Sequence, residues 1–251
     1  MGKIRYRYAV VMDNIRVNRD LYHLLVEVEM GGVEPGHFIM VWIPELEEVP
    51  MAPSLYRDGV MRITYKVVGE TTSYMSRLSR GDEIYIRGPL GRPFDLSGEG
   101  RYLLIGGGVG SAPLIYSVHR LVEMNRGYTY VEGVPNKEYK MFIEEAKSLG
   151  GDAILYTEDG SEGVKGLPID YLKSHLNEYD YVLACGPEAL NKAVFEICRD
   201  AGVDCQISME RMVKCGVGVC GSCVVEGTGL LVCLDGPVFR ASVLNDAGYD
   251  C

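Results

Sequence analysis

Histidine is scarce in this chain. His23, His37, His119 and His175 are the only four in 251 residues, and no two share a metal-ligand spacing such as HExxH. No catalytic triad order and no acid pair stands out either, so the protein's own side chains offer little for acid–base or nucleophilic chemistry. Basic residues are in deficit, 25 Lys and Arg against 35 Asp and Glu for a net charge of −10. That excludes the basic face of a nucleic-acid binder. Long hydrophobic runs are absent. The basic start Met1 to Tyr8 leads into an apolar stretch that Asp13 and Asn14 break too early for a signal peptide, and no later run approaches a membrane span. A cytoplasmic protein without a membrane span is expected. Internal repeats and low-complexity linkers are also missing.

Cysteine, by contrast, is plentiful, with eight residues in a chain that is 47 % hydrophobic. In an untargeted chain such thiols point to bound metal in a reducing compartment rather than to secreted bridges. Four of them, Cys215, Cys220, Cys223 and Cys233, follow the spacing C-x4-C-x2-C-x9-C. This is the plant-type [2Fe–2S] arrangement, in which three ligands share one loop and the fourth follows at a distance. Gly216, Gly218 and Gly221 let that loop wrap tightly and bring backbone N–H groups to sulfur. A zinc knot and a disulfide pair are the alternatives. Zinc usually takes two short C-x2-4-C knuckles, and here only Cys220 and Cys223 form one. Cys198 lies on a helical apolar stripe and reads as core, whereas Cys205 and Cys251 carry no reading.

Three regions follow one another. Residues 1–97 hold short β-rich runs (Tyr6 to Val11, Leu21 to Val28, Phe38 to Ile43, Met61 to Val68, Glu83 to Arg87) separated by Gly- and Asp-rich turns, which predicts an antiparallel β-barrel. Thr72 to Leu78 reads as one helical interruption. Residues 98–205 alternate strand and helix, which predicts a parallel-sheet α/β domain. Residues 206–251 form a small cluster domain. The chain is thus a multi-domain β plus α/β protein.

In the α/β region, Tyr102 to Ile105 runs into Gly106-Gly107-Gly108-Val109-Gly110, and a helix opens with Ala112 and Pro113 in its first turn. Such a loop can turn backbone N–H groups toward a phosphate, although no third glycine completes G-x-G-x-x-G. Glu132 closes the second strand about 20 residues on, where an acid can accept from a ribose hydroxyl. Cys185-Gly186-Pro187 ends the last strand at the edge where parallel sheets bind ligands, or is an ordinary strand-to-helix turn.

Taken in order, a β-barrel, GGGVGSAPL, TEDGSEGVKG, ACGPEAL and ERMVKCGVGVCGSC resemble the ferredoxin-reductase-like flavoproteins. Within them the chain is most similar to the electron-transfer subunits of type B dihydroorotate dehydrogenase, in particular through the ending Cys233-Leu-Asp-Gly-Pro-Val-Phe239. The resemblance implies FAD between barrel and α/β domain, one [2Fe–2S] cluster near the flavin, and NAD+ as acceptor. It also implies a separate FMN-containing catalytic subunit that oxidises dihydroorotate, assembled as a heterotetramer with two of each subunit, in pyrimidine biosynthesis. Cys215, Cys220, Cys223 and Cys233 would be the cluster ligands. Tyr65, Lys66, Val67, Thr71 and Thr72 would line the FAD, Gly106 to Pro113 the flavin–nicotinamide junction, and Cys185, Gly186 and Pro187 the nicotinamide.

Two departures stand out. Where the family carries an Arg-Pro-x-Ser type motif, this chain has Pro50-Met-Ala-Pro-Ser54, with no arginine before the proline. Pro53 and Ser54 remain candidates for the flavin, and Lys66, Arg57 or Arg62 for its pyrophosphate. After the second strand comes Glu132-Gly-Val-Pro-Asn-Lys137, without the arginine of NADP-preferring relatives, which favours NAD. The rival functions are the same electron module in a ferredoxin–NAD(P) reductase, sulfide dehydrogenase or hydrogenase diaphorase, and a metal-binding sensor.

Overall fold

The computed structural model describes residues 5–249; residues 1–4, 250 and 251, Cys251 among them, lie outside. The first sheet has seven strands: β1 (Arg7–Arg16), β2 (Leu21–Glu27), β3 (Phe38–Trp42), β4 (Val49–Met51), β5 (Pro53–Arg57), β6 (Val60–Lys66) and β7 (Glu83–Leu90). Their spatial order is β4-β3-β7-β1-β2-β6-β5, with antiparallel pairing throughout. The two edges, β4 and β5, are consecutive in the chain and separated only by Ala52. A sheet whose outermost strands are joined by one residue has to curl until its edges meet, and the result is the expected barrel.

Pro50 and Pro53 sit on those two edge strands, where a residue without an N–H does least harm to the ladder. They also hid both strands from the sequence pattern. β1 runs on through Asp13 and Asn14 by means of a bulge between Val11 and Asp13. The helical interruption is α1 (Glu70–Met75).

The second sheet is mostly parallel, in the order β11-β10-β9-β8-β12-β13-β14. Its central strands are β8 (Tyr102–Gly107), β9 (Tyr128–Val134), β10 (Asp152–Thr157) and β12 (Tyr181–Cys185), linked through α2 (Ser111–Glu123), α3 (Ile143–Ser148) and α4 (Pro168–His175). Short β11 (Val164–Lys165) forms one edge. α5 (Glu188–Ala201) leads to β13 (Asp204–Ser208), which pairs with β12 in parallel. After the cysteine segment the chain returns as β14 (Val238–Arg240), antiparallel to β13, and ends in α6 (Ala241–Asp246). The α/β sheet therefore continues past residue 205, and the cluster segment is a loop of residues 209–237 inserted between two of its strands.

One buried core ties the three parts together. Phe38, Met40 and Leu90 from the outer side of the barrel share it with Leu103, Val182 and Phe195 of the α/β layer. Cys223, Val225, Val232 and Cys233 of the inserted loop belong to it as well. Gln206 and Asp95 exchange reciprocal hydrogen bonds of 2.8 Å each, fastening β13 to the segment that leaves the barrel. Among the described residues no helix is long and apolar enough to cross a membrane.

Candidate functional site: a sulfur cradle beside two nucleotide-facing loops

The inserted loop gathers the four expected sulfurs into two pairs. Backbone N–H groups of Val217, Val219 and Cys220 donate to Cys215 Sγ at 3.5, 3.4 and 3.4 Å. The N–H of Gly218 donates to Cys233 Sγ at 3.2 Å, and that of Cys233 to Cys223 Sγ at 3.4 Å. Cys215 and Cys220 are in side-chain contact, as are Cys223 and Cys233. The glycine reading holds at the backbone, since Gly216, Gly218 and Gly221 all take φ between 66 and 78°.

This donor set fits a dinuclear cluster. Two pairs of thiolates offer two ligands to each of two irons, and amide donors spread the negative charge on sulfur. Among the described residues no three His, Cys, Asp or Glu side chains are grouped to hold a single metal ion. The Ser222 hydroxyl and N–H, with help from Cys215, hold the Cys220 thiol down to about 6. Burial pushes Cys233 up to about 12. Cys223 and Cys233 are buried while Cys220 is exposed, so one side of the cradle opens to solvent.

The two glycine-bearing motifs of the α/β layer meet each other. A Cβ on Gly110 would stand 2.8 Å from the Gly186 Cα, and one on Gly107 2.8 Å from Pro187 Cδ. The glycines at these positions thus serve a close backbone crossing. Gly108 differs: its φ is +55° and nothing lies within 4 Å of the place its Cβ would occupy. The short 3-10 turn Gly108–Gly110 runs directly into α2, and neither start carries a side-chain cap. The N–H groups at these starts therefore have no side-chain acceptor, a setting suited to a nucleotide phosphate. Ala112 and Pro113 are buried in the first turn. Burial pushes the Cys185 thiol up to about 12, so it stands as a neutral group at the end of β12.

Several expected contacts are spent inside the protein. Ser54 is wholly buried; its hydroxyl lies 2.8 Å from Thr64 Oγ1 and accepts from Arg62 Nε at 3.0 Å. Its neighbour Pro53 is buried too. Tyr65 stacks on Tyr22 and donates to Asn14 Oδ1 at 3.3 Å. The Thr71 hydroxyl donates to the Glu47 carbonyl, and Thr72 Oγ1 accepts the N–H groups of Val68 and Gly69. The Val67 N–H bonds the Asp20 carbonyl.

The three cations considered for the pyrophosphate are each matched by a carboxylate. Lys66 pairs with Asp20 at 3.3 Å, Arg57 with Glu123, and Arg62 with Glu145 through two bonds of 2.9 and 3.0 Å.

Glu132 corrects the ribose expectation. It is fully buried, and its carboxylate accepts the N–H of Met141 at 2.7 Å, the N–H of Phe142 at 3.0 Å and the Tyr130 hydroxyl at 3.3 Å. It anchors the chain entering α3. Burial pushes its carboxyl up, opposed by those donors.

Sequence reasoning missed a polar bridge between barrel and α/β layer. Glu145 on α3 receives Arg62 from β6 and His119 Nε2 from α2 at 2.6 Å, while Arg62 also lies over the Phe142 ring. Although burial pushes the Glu145 carboxyl up, the hydrogen bonds from His119 and Arg62 outweigh it and hold the group low. No signal in the sequence links these residues, because they come from three separate elements.

A barrel, a mostly parallel α/β sheet and a cysteine cradle define a ferredoxin-reductase-like electron-transfer protein. The structure aligns at a TM-score of 0.82 and 29 % identity with that of an NADH-dependent reduced ferredoxin–NADP oxidoreductase studied for flavin-based electron bifurcation, covering 96 % of this chain and 90 % of that one. The ferredoxin reductase of carbazole 1,9a-dioxygenase shares the fold at a TM-score of 0.70. Residues 210–245 match the iron–sulfur cluster binding domain of dihydroorotate dehydrogenase B. The probable dihydroorotate dehydrogenase B (NAD+) electron transfer subunit of Methanopyrus kandleri is 43 % identical over 86 % of this chain and 82 % of its own length. That of Clostridium acetobutylicum is 36 % identical over 97 % of this chain and all of its own. The chain belongs to the family of dihydroorotate dehydrogenase B electron transfer subunits.

Proposed function

We propose that the protein carries electrons from a dihydroorotate-oxidising catalytic subunit to NAD+ in cytoplasmic pyrimidine synthesis. Cys215, Cys220, Cys223 and Cys233 hold a [2Fe–2S] cluster, and FAD lies between the barrel and the α/β layer. When bound, FAD exchanges a hydride with nicotinamide and single electrons with the cluster, which joins the two kinds of traffic. The protein's part is to space and orient these groups. Since Arg62 is held by Glu145 in a partly buried pair, the phosphates rest on backbone N–H groups such as those at Gly108–Gly110. The proposed working domains are 1–97, 98–205 and 206–251, the last contributing β14 to the sheet of the second. The partner contains FMN, and two copies of each subunit form the assembly.

The observation that carries this reading is the sulfur cradle. Five backbone N–H groups are aimed at three cysteines inside a loop that matches the family's cluster-binding domain. The test is native co-purification followed by assay of the complex. Dihydroorotate-dependent NAD+ reduction with orotate formed is the expected result. A complex that forms but makes no orotate would sink the assignment.

A second reading comes from the 29 % identity to the ferredoxin–NADP oxidoreductase chain, which covers nearly the whole protein. In that case the native partner would be another flavoprotein, and NADH oxidation would depend on ferredoxin rather than on dihydroorotate.

A further inference from the structure

The cluster loop rests on the outer face of the barrel, and that face continues beyond it as a ladder of surface aromatic rings, with Tyr6 and Tyr8 exposed and Trp42 and Tyr85 half-buried. A Cβ on Gly216 would lie 3.3 Å from a guanidinium nitrogen of Arg87 and 3.5 Å from Met40 Cγ. Met40 on β3 and Arg87 on β7 are direct partners, and the next pair on the same face is Trp42 with Tyr85. Side chains two apart on a strand share a face, so Trp42 and Tyr85 prolong the surface that carries the cluster loop. Tyr8 on β1 stands opposite Tyr85 in turn. The rings are in contact, with Trp42 to Tyr85 at 5.2 Å, Tyr8 to Tyr85 at 6.2 Å and Tyr6 to Trp42 at 5.4 Å. Tyr6 closes the circuit, because its hydroxyl joins the Glu48 carboxylate in holding the Arg87 guanidinium high beneath the cluster loop.

Tyr6 and Tyr8 are each 49 % exposed, and Trp42 is the chain's single tryptophan. Aromatic pairs across strands strengthen a sheet, but a sheet needs no such row on its solvent side. Tyr and Trp in a contiguous surface strip are instead the residues that dominate protein–protein contacts, since they bury much area at little entropic cost. Around the cradle the apolar surface goes on, with Met212 at 70 % and Val219 at 82 % exposure.

We propose that the ladder Tyr8–Tyr85–Trp42–Tyr6 is part of the docking face for the catalytic subunit, bordering the cluster loop where that loop covers the buried Met40 and Arg87. This rests on the reading that the chain works with such a subunit. A partner that delivers electrons has to sit over the exposed Cys220 side, and the ladder widens that contact from a small rim to an extended face.

The test uses the complete holo-subunit with its single tryptophan as 5-fluorotryptophan, titrated with the FMN subunit from the same genome. The ¹⁹F resonance of Trp42 is expected to shift and saturate at one partner per chain. Tyr8→Glu and Tyr85→Ser are expected to weaken the complex by roughly tenfold or more while FAD and iron content stay unchanged. Val219→Asp, at the cluster rim, serves as the comparison. An unmoved resonance with wild-type affinity for both ladder variants, alongside weakening by Val219→Asp, overturns the ladder's role and leaves the functional reading standing. Ladder variants that alter only self-association overturn it as well. Failure of the wild-type chain to bind that subunit at all overturns both.

Discussion

The N–H of Gly218 points at Cys233 Sγ from 3.2 Å, while a Cβ at position 218 would press to 2.9 Å from Leu234 Cδ2. One residue thus supplies a donor to a sulfur and leaves room for the side chain that follows it. Its φ of +78° adds a backbone demand that a β-branched residue meets only with strain, at about 1–2 kcal/mol.

Gly218→Val is therefore expected to yield substoichiometric iron and sulfide, and a more negative potential in the fraction that does assemble, since one donor to sulfur is displaced. Redox titration followed by electron paramagnetic resonance measures both. A fully loaded variant with unchanged potential would show that the donor has no such part.

Replacing Cys220 with serine should abolish or cripple cluster assembly and leave flavin bound, whereas Cys205→Ser should keep both groups. Cys205 is buried in the α/β core beside Cys198, far in role from the loop. Visible absorbance and iron content of the two purified variants decide the matter. Loss of flavin from the Cys220 variant with its cluster intact would reverse the assignment of regions.

How much of this could be read without the structure follows from how local each feature is. The cysteine loop was legible because three sulfurs, three glycines and their N–H donors fall within nine consecutive residues. The barrel and the α/β alternation were legible from strand and helix patterns. The strands holding Pro50 and Pro53 were not, because proline weakens a strand signal and only the edge position excuses it. The fate of Ser54, Lys66 and Arg62 was not legible either. Each finds its partner on another element, and nothing in a single sequence shows that Arg62 meets Glu145 83 residues away. Glu132 misled for a related reason: the end of a strand fixes where a side chain starts but not which way its carboxylate turns.

Arg62 and Glu145 bridge the barrel and the α/β layer in a partly buried pair, with side-chain exposures of 16 and 24 %. Removing one partner leaves the other short of solvent, so Arg62→Ala and Glu145→Ala should each cost about 1–3 kcal/mol. The double variant should cost less than the sum, and chemical denaturation of the four proteins gives the coupling energy. Strict additivity would show that the bridge contributes nothing of its own.

Acid should loosen the same junction. Burial, joined by the charge of Arg62 and opposed by Glu145, pulls the His23 imidazole from 6.5 down to about 4. The unfolded chain then takes up the proton first. The resulting stability is complete above pH 6.5 and is lost as the pH falls toward 4, by about 2 kcal/mol after allowance for partial exposure. Glu145, held low, gives up its own share only below 4.5. His23→Gln should flatten stability between pH 6.5 and 4.5 and leave the more acid limb in place. An unchanged profile in that variant would remove His23 from the account.

Glu132 provides the sharpest separation between a structural and a nucleotide-binding role. Its buried carboxylate satisfies the backbone N–H groups of Met141 and Phe142 at the entry to α3. Glu132→Ala strands both donors and should destabilise the protein by about 2–4 kcal/mol, read as a lower denaturation midpoint. A ribose-binding acid would behave differently: its loss would raise KM for NADH and relax discrimination against NADPH with little change in stability. The internal position of the carboxylate predicts the first outcome. A variant of normal stability with altered nicotinamide preference would return Glu132 to the cofactor site.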